Sequence, residues 1–222
     1  MQIYGINGSP RTNWNTGTIL QNVLDGFAES RDDALTEKID LYSLTYKGCV
    51  SCFECKRLGG PSYGRCAVKD QLGPLLPNIL QADALVIASP IYFSDITGMM
   101  RCFLERLLFP LFVYDKDYSS LAPKKLRTAF VYTMNVPHDR MERMQYPERL
   151  APMESFVGRC FGHEPRKLYV CDTYQFKDYS KYKMEVFSEA EKARQRETEF
   201  PIDCRRAREL GAALAADVAG EP

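Results

Sequence analysis

Ala84-Leu85-Val86-Ile87-Ala88, closed by Ser89-Pro90-Ile91-Tyr92, is the stretch that decides the fold. A short continuous apolar run of this kind is what a central parallel strand, covered on both faces, requires. Behind it, Met99, Met100, Phe103, Leu104, Leu107 and Leu108 recur at helical spacing. Ahead of it, Gln2 to Asn7 reads as a buried strand that breaks at Gly8-Ser9-Pro10. A helix then starts near Thr16, with Ile19, Leu20, Val23, Leu24 and Phe27 on one stripe. Lys38 to Tyr42 suits a second strand, and Leu72 to Gln81 a short helix interrupted by Pro74 and Pro77. Further on, Leu126 to Thr133 and Lys167 to Thr173 read as strands four and five, with a helix over Glu148 to Phe161 between them. Helical stretches near Lys183 to Glu197 and Asp203 to Val218 follow.

Strand alternating with helix predicts an α/β fold, an open parallel sheet with helices on both faces. Right-handed crossovers leave few topologies, and five strands fit the doubly wound order 2-1-3-4-5. Ligands are then expected at the carboxyl ends of the strands, in the loops after strands one, three, four and five. The 222 residues read as a single domain (1–222), with a cysteine loop over 48–66 and a C-terminal helical extension over 176–222.

Composition narrows the function. The chain carries 29 basic and 29 acidic side chains, so it has no broad cationic field to attract nucleic acid or an anionic membrane. No apolar run approaches the roughly 20 residues that span a bilayer. Met1-Gln2-Ile3-Tyr4 lacks the basic flank and apolar core of a signal peptide, so the expected location is cytoplasmic. With two histidines, neither beside a nucleophile and carboxylate, hydrolase triads and His-rich metal sites are poorly supported. His138 and His163 read as residues of polar turns, and the charge-dense run Glu185 to Arg208 as solvated helix faces.

Gly8-Ser9-Pro10-Arg11-Thr12-Asn13-Trp14-Asn15-Thr16 brings hydroxyls, an amide, an arginine and free N–H groups to a helix start. There the helix dipole favours an anion, and a phosphate monoester is the natural guest. The stretch is neither the dinucleotide fingerprint nor a Walker A loop; a capped helix with a polar turn is the plainer alternative.

Eight cysteines are many for a chain with no mark of export, and four follow the pattern Cys49-x2-Cys52-x2-Cys55-x10-Cys66. Thiolates at this spacing suit a 4Fe–4S cluster, which one loop can wrap. Zinc, free thiols or a redox C-x-x-C pair are the other readings. Cys102, Cys160, Cys171 and Cys204 read as small apolar core or surface residues.

Three motifs in order carry a resemblance over roughly residues 1–175. Gly8-Ser9-Pro10-Arg11 with Asn15-Thr16, then Ser89-Pro90-Ile91-Tyr92-Phe93, then Thr97-Gly98-Met99-Met100-Arg101 with Glu105-Arg106 resemble the flavodoxin-like NAD(P)H-dependent FMN reductases. The resemblance implies that Ser9, Arg11, Asn15 and Thr16 bind the FMN phosphate. It places Pro90, Ile91, Tyr92 and Phe93 along the flavin ring, and Thr133, Met134 and Asn135 near the ring or ribityl chain. Arg101 and Glu105 stand where the family usually has Lys and Asp, and Trp14 replaces a frequent glycine.

Cys49, Cys52, Cys55 and Cys66 look like the ligand set of the family's iron–sulfur flavoprotein branch, although Lys56 to Arg65 is longer than usual there. The implied activity is FMN-dependent oxidoreduction with no obligatory catalytic side chain. Either NAD(P)H reduces FMN for a quinone or flavin acceptor, or a ferredoxin-like donor works through a 4Fe–4S cluster. The alternatives are a non-enzymatic electron carrier or redox sensor, and a domain holding another nucleotide. Family members are commonly homodimers or homotetramers. The run Met99 to Phe112 would serve such a contact or be plain core, and the aromatic stretch Asp178 to Tyr182 would cover a neighbouring subunit's site.

Overall fold

In the computed structural model, which describes residues 1–220, five strands form one parallel sheet. They are β1 (Gln2–Asn7), β2 (Leu35–Asp40), β3 (Ala84–Pro90), β4 (Arg127–Thr133) and β5 (Arg166–Val170). The spatial order is β2-β1-β3-β4-β5, the expected doubly wound topology. β3 sits in the middle, pairing with β1 on one side and β4 on the other, with Val86 opposite Gly5 and Ala129. Period-2 alternation sorts its side chains between two cores. Val86 and Ala88 join Ile3, Ile19, Leu20 and Phe27 on one face, while Leu85 and Ile87 join Tyr4, Phe103, Leu104 and Phe130 on the other. The continuous apolar run is therefore the signature of a strand with no solvent face.

The first face is covered by α1 (Asn15–Glu29) and α7 (Phe200–Ala219), the second by α3 (Gly98–Leu108) and α5 (Tyr146–Phe161). α1 and α7 cross at two glycines. A Cβ on Gly26 would lie 2.1 Å from the Arg208 carbonyl oxygen, and one on Gly211 would lie 2.0 Å from that of Val23. Phe200, Ala207, Leu214 and Ala215 are buried in the sheet core. The C-terminal segment is thus a structural layer of the domain, not an appendage; its positions 221 and 222 lie outside the described residues.

Four details depart from expectation. β2 starts at Leu35 and ends at Asp40, because Leu41–Ser43 turn into a 3-10 helix where the strand was expected to run on to Tyr42. The last helices are α6 (Glu189–Thr198) and α7, so residues 183–188 are not helical. Ser188 caps α6 by accepting from the Glu191 N–H at 3.3 Å, which fixes the later start. β5 ends at Val170, three residues early, because Asp172 takes a left-handed backbone (φ 57°) that no strand accommodates. His138 opens a short helix, α4 (His138–Arg143), instead of lying in a turn. The remaining helix, α2 (Leu75–Ile79), is cut short by its prolines.

Met100, Phe103, Leu104, Leu107, Leu108 and Leu111 are all core residues. Their apolarity is used inside the chain. No helix among the described residues is long and apolar enough to cross a membrane.

Candidate functional site

The loops after β1, β3 and β4 meet at the carboxyl end of the sheet and line an open cleft with a cavity volume of about 110 Å³. It is lined by Ser9, Arg11, Asn15, Thr16, Pro90, Ile91, Tyr92, Thr133, Met134 and Asn135, which is every expected contact residue except Phe93. Phe93 and Ser94 both have positive φ (52° and 67°) in a tight turn closed by reciprocal backbone bonds between Tyr92 and Asp95. That turn throws the Phe93 ring fully into solvent, at 106% exposure, beside the cavity mouth.

Local chemistry builds each wall. In the first loop the Ser9 hydroxyl accepts from the Arg11 N–H at 3.2 Å, and Asn7 Oδ1 accepts from the Ser9 N–H at 3.1 Å. Gly17 lets the loop fold onto the start of α1, since a Cβ there would lie 1.8 Å from the Thr12 carbonyl oxygen. No side chain caps α1, whose first residue is Asn15. Its leading N–H groups and dipole face the cavity without a competing acceptor. Thr97, the N-cap of α3, donates its hydroxyl to the Gly8 carbonyl at 2.9 Å and so ties the second loop to the first. The Thr16 and Thr133 hydroxyls meet at 2.7 Å and tie in the third.

Further residues join the site beyond those assigned to it from the sequence. Trp14, Thr173 and Gln175 also line the cavity. Trp14 Nε1 and Asn15 Nδ2 both donate to the Tyr174 carbonyl, at 3.2 and 2.9 Å. Arg196, from the run read as solvated, reaches back from α6 to donate to Asn15 Oδ1 at 3.0 Å, and the Arg11 and Arg196 guanidiniums lie 5.3 and 5.9 Å from the Trp14 ring centroid. Lys192 of α6 is buried, with its ammonium on the Asn135 carbonyl, the Asp172 carboxylate and the Phe187 ring. The charged tail is therefore partly interior: it supplies one cation behind the first loop and another that pins the third loop.

The cavity meets the demands of an FMN group on its own residues. A helix start and the Arg11 side chain line the cavity, with Arg196 behind Asn15, while Pro90, Ile91 and Tyr92 offer an apolar wall. Asn135 Oδ1 is buried with no partner and is left to accept from a ligand. Burial pushes the Tyr92 phenol above its ordinary value, so it stays a neutral donor.

The cysteine loop lies at the far end of α3. Cys49, Cys52, Cys55 and Cys66 line one small, nearly closed cavity of about 10 Å³. Cys55 is buried, which pushes its thiol up, and the neighbouring Lys56 ammonium opposes that shift. Ser51 and Phe53, on either side of Cys52, both take left-handed backbones. Among the described residues no three His, Cys, Asp or Glu side chains surround a single metal position. One tetrahedral zinc would need its sulfurs about 3.8 Å apart, given Zn–S bonds of about 2.3 Å. An iron–sulfur cluster takes the same four thiolate donors, one to each of its irons, and the four cysteines line a shared cavity.

Of the other four cysteines, burial pushes the Cys160 thiol up to about 11 and Cys171 up to about 12, as expected for structural thiols.

A doubly wound parallel sheet with an anion cradle at its carboxyl end defines a flavodoxin-like, mononucleotide-binding protein. The chain belongs to the NADPH-dependent FMN reductase family, whose sequence pattern matches residues 1–133. An iron–sulfur flavoprotein of Methanocaldococcus jannaschii is 29% identical over 48% of this chain and 51% of that protein. One from Archaeoglobus fulgidus is 30% identical over 49% and 46%. The chain thus spans about half the length of the curated relatives it matches.

Among solved structures, an NAD(P)H:quinone oxidoreductase from Methanothermobacter marburgensis superposes with a TM-score of 0.68 at 16% identity, covering 96% of this chain and 98% of that one. An azoreductase from Bacillus anthracis gives 0.68 at 13%, covering 96% and 99%. These two establish the shared fold.

Proposed function

We propose that this chain is an FMN-dependent oxidoreductase of the iron–sulfur flavoprotein type, with flavin in the cavity at the carboxyl end of the sheet and a 4Fe–4S cluster in the cysteine loop. The observation that carries the reading is α3. Its N-cap, Thr97, is bonded to the phosphate loop, and its last turn, Glu105 and Arg106, is bonded to the cysteine loop. One helix of 11 residues, about 16 Å long, holds both sites.

When bound, FMN supplies hydride acceptance from a nicotinamide, and a cluster supplies single-electron exchange. The chain's own residues bind and orient. Ser9, Arg11, the α1 N-terminus and Arg196 behind Asn15 offset the phosphate charge. Pro90, Ile91 and Tyr92 wall the ring and exclude water from one side, and Asn135 Oδ1 accepts from the polar edge. No side chain in the cavity is placed as an obligatory acid or base. The exposed Tyr92–Phe93 lip gives an apolar landing surface for a small electron acceptor such as a quinone, and a ferredoxin-like donor would meet the protein at the cysteine loop.

The test is the visible spectrum of protein purified without oxygen, with iron, acid-labile sulfide and NAD(P)H oxidation measured on the same sample. Bound flavin with about four irons per chain and turnover with a quinone supports the reading. Flavin with turnover but no iron reduces it to a simple FMN reductase. Flavin without turnover makes the protein a carrier, and no flavin after FMN addition removes the proposal.

A further inference from the structure

Arg106, in the last turn of α3, is the largest fully buried side chain among the described residues. A guanidinium has five N–H donors and keeps its charge, so burying it demands acceptors in every direction. All five are supplied. The two terminal nitrogens hold Asp70 in a fork (2.7 and 3.1 Å) and donate to the Lys47 and Val68 carbonyls (2.9 and 3.3 Å). Nε donates to Cys66 Sγ at 2.8 Å. The preceding residue works on the first cysteine, as Glu105 Oε2 accepts the Cys49 N–H at 3.1 Å.

Lys47 lies just before Cys49, and Val68 and Asp70 lie just after Cys66, so one guanidinium staples both ends of the cysteine loop to α3. The ten residues between Cys55 and Cys66 then have little say in where the fourth sulfur sits. A helix of the core places it, and the long intervening segment is free to bulge. A neutral thiol is a weak acceptor. An N–H from a buried cation aimed at sulfur is best matched by a thiolate, which is the form that ligates iron.

We propose that Arg106 is the positioning residue of the cysteine site: it fixes Cys66 as the fourth ligand of the cluster and, through its Nε–H bond to that sulfur, raises the cluster's reduction potential. This rests on the cluster reading given above. Donation to a ligand sulfur draws off electron density and favours the reduced, more negative cluster, one of the known determinants of such potentials.

The decisive experiment compares wild type with Arg106→Lys after anaerobic reconstitution. Flavin content serves as the check that the fold is intact, and the cluster is followed by EPR-monitored redox titration and by iron loss to a chelator. Lysine keeps a positive charge near Asp70 but cannot span Asp70, the two carbonyls and Cys66 together. The expected result is a cluster with a more negative midpoint potential and faster iron loss, with flavin unchanged. A variant cluster with wild-type potential and wild-type iron retention overturns the proposal.

Should Arg106→Lys fail to hold flavin, pulsed EPR on reduced wild-type protein labelled with 15N-arginine decides instead. A nitrogen coupling from an arginine bonded to a cluster sulfur supports the assignment, and its absence defeats it. Wild-type protein with flavin but no iron removes the cluster reading and this proposal together. A wild-type cluster indifferent to Arg106 removes this proposal alone.

Discussion

Lys192→Met tests whether the C-terminal layer is part of the flavin site. Methionine matches the apolar length of lysine and removes only the ammonium, which in the native chain meets the Asn135 carbonyl, the Asp172 carboxylate and the Phe187 ring. Breaking a buried pair by deleting one partner costs about 3 to 5 kcal/mol. Here the Asp172 side chain is 32% exposed and recovers some hydration, so about 2 to 3 kcal/mol is the reasonable range. For a chain of this size that is a drop of about 4 to 12 °C in Tm.

The same ammonium joins residue 135 of the third loop to residue 172 after β5, so its loss loosens the wall that holds Asn135 Oδ1. FMN affinity should fall about tenfold, equivalent to about 1.4 kcal/mol. Trp14, the only tryptophan, lines the cavity, so quenching of its fluorescence on FMN addition reads the affinity directly. Urea unfolding of the flavin-free protein reads the stability. A double-mutant cycle with Asp172→Asn should return a coupling above about 1 kcal/mol. If Lys192→Met changes stability by less than about 0.5 kcal/mol and leaves FMN affinity intact, α6 merely rests on the surface and the reasoning fails.

Two further outcomes follow from single positions. Burial raises the Asp203 carboxyl to about 6 from an ordinary 3.8, with Arg206 opposing the shift. Folding therefore favours its protonated form, a contribution complete below the unfolded value and lost as pH rises through about 6. Asp203→Asn should stabilise the protein above that pH by up to about 3 kcal/mol and add nothing in acid; an equal gain at both extremes in denaturant titrations would contradict the assignment. In Gly17→Ala the new Cβ meets the Thr12 carbonyl oxygen at 1.8 Å, so the phosphate loop must open. FMN affinity should drop by more than about 100-fold with the far-ultraviolet circular dichroism unchanged, and near-native affinity would mean that the loop is not the phosphate cradle.

Much of this was legible in the residues. The Ala84–Ala88 run has no polar face and could only be a covered strand, and the order of sheet and helix followed from the alternation around it. The first loop was legible because hydroxyls, amide and arginine crowd one helix start. Lys192 and Arg196 were not, because α6 is charged all around and nothing in its period shows which cations turn inward; only the fold brings α6 against Trp14 and Asn135. α4 was missed because His138–Arg143 holds one apolar residue, Met141, too little to show a stripe. Phe93 looked like a ring contact by position, but two successive left-handed residues turn it outward, and neither is a glycine that would have announced the turn. Arg106 was visible as half of Glu105-Arg106, yet its five partners come from Lys47 and from residues 66–70, separations no local pattern reports.

Backbone strain adds an independent line on where this chain works. Among the described residues seven non-glycine positions have positive φ: Ser51, Phe53, Phe93, Ser94, Tyr118, Gln145 and Asp172. The first two flank Cys52, the next two form the cavity lip, and Asp172 holds Lys192 behind the third loop. Five of the seven thus belong to the two proposed sites. Each such residue costs about 1 to 3 kcal/mol and persists only where its surroundings over-determine it. At the cysteine loop that surrounding is the Arg106 staple, with Lys56 bonded to the Phe109 and Phe112 carbonyls beneath it. At the cavity it is the Thr97–Gly8 and Thr16–Thr133 bonds, with Lys192. In both places a core helix or a buried ion pair offsets the strain before any ligand arrives. Both proposed sites are therefore braced by the fold itself, at the cysteine loop through α3 and at the cavity through α3, Thr16–Thr133 and Lys192.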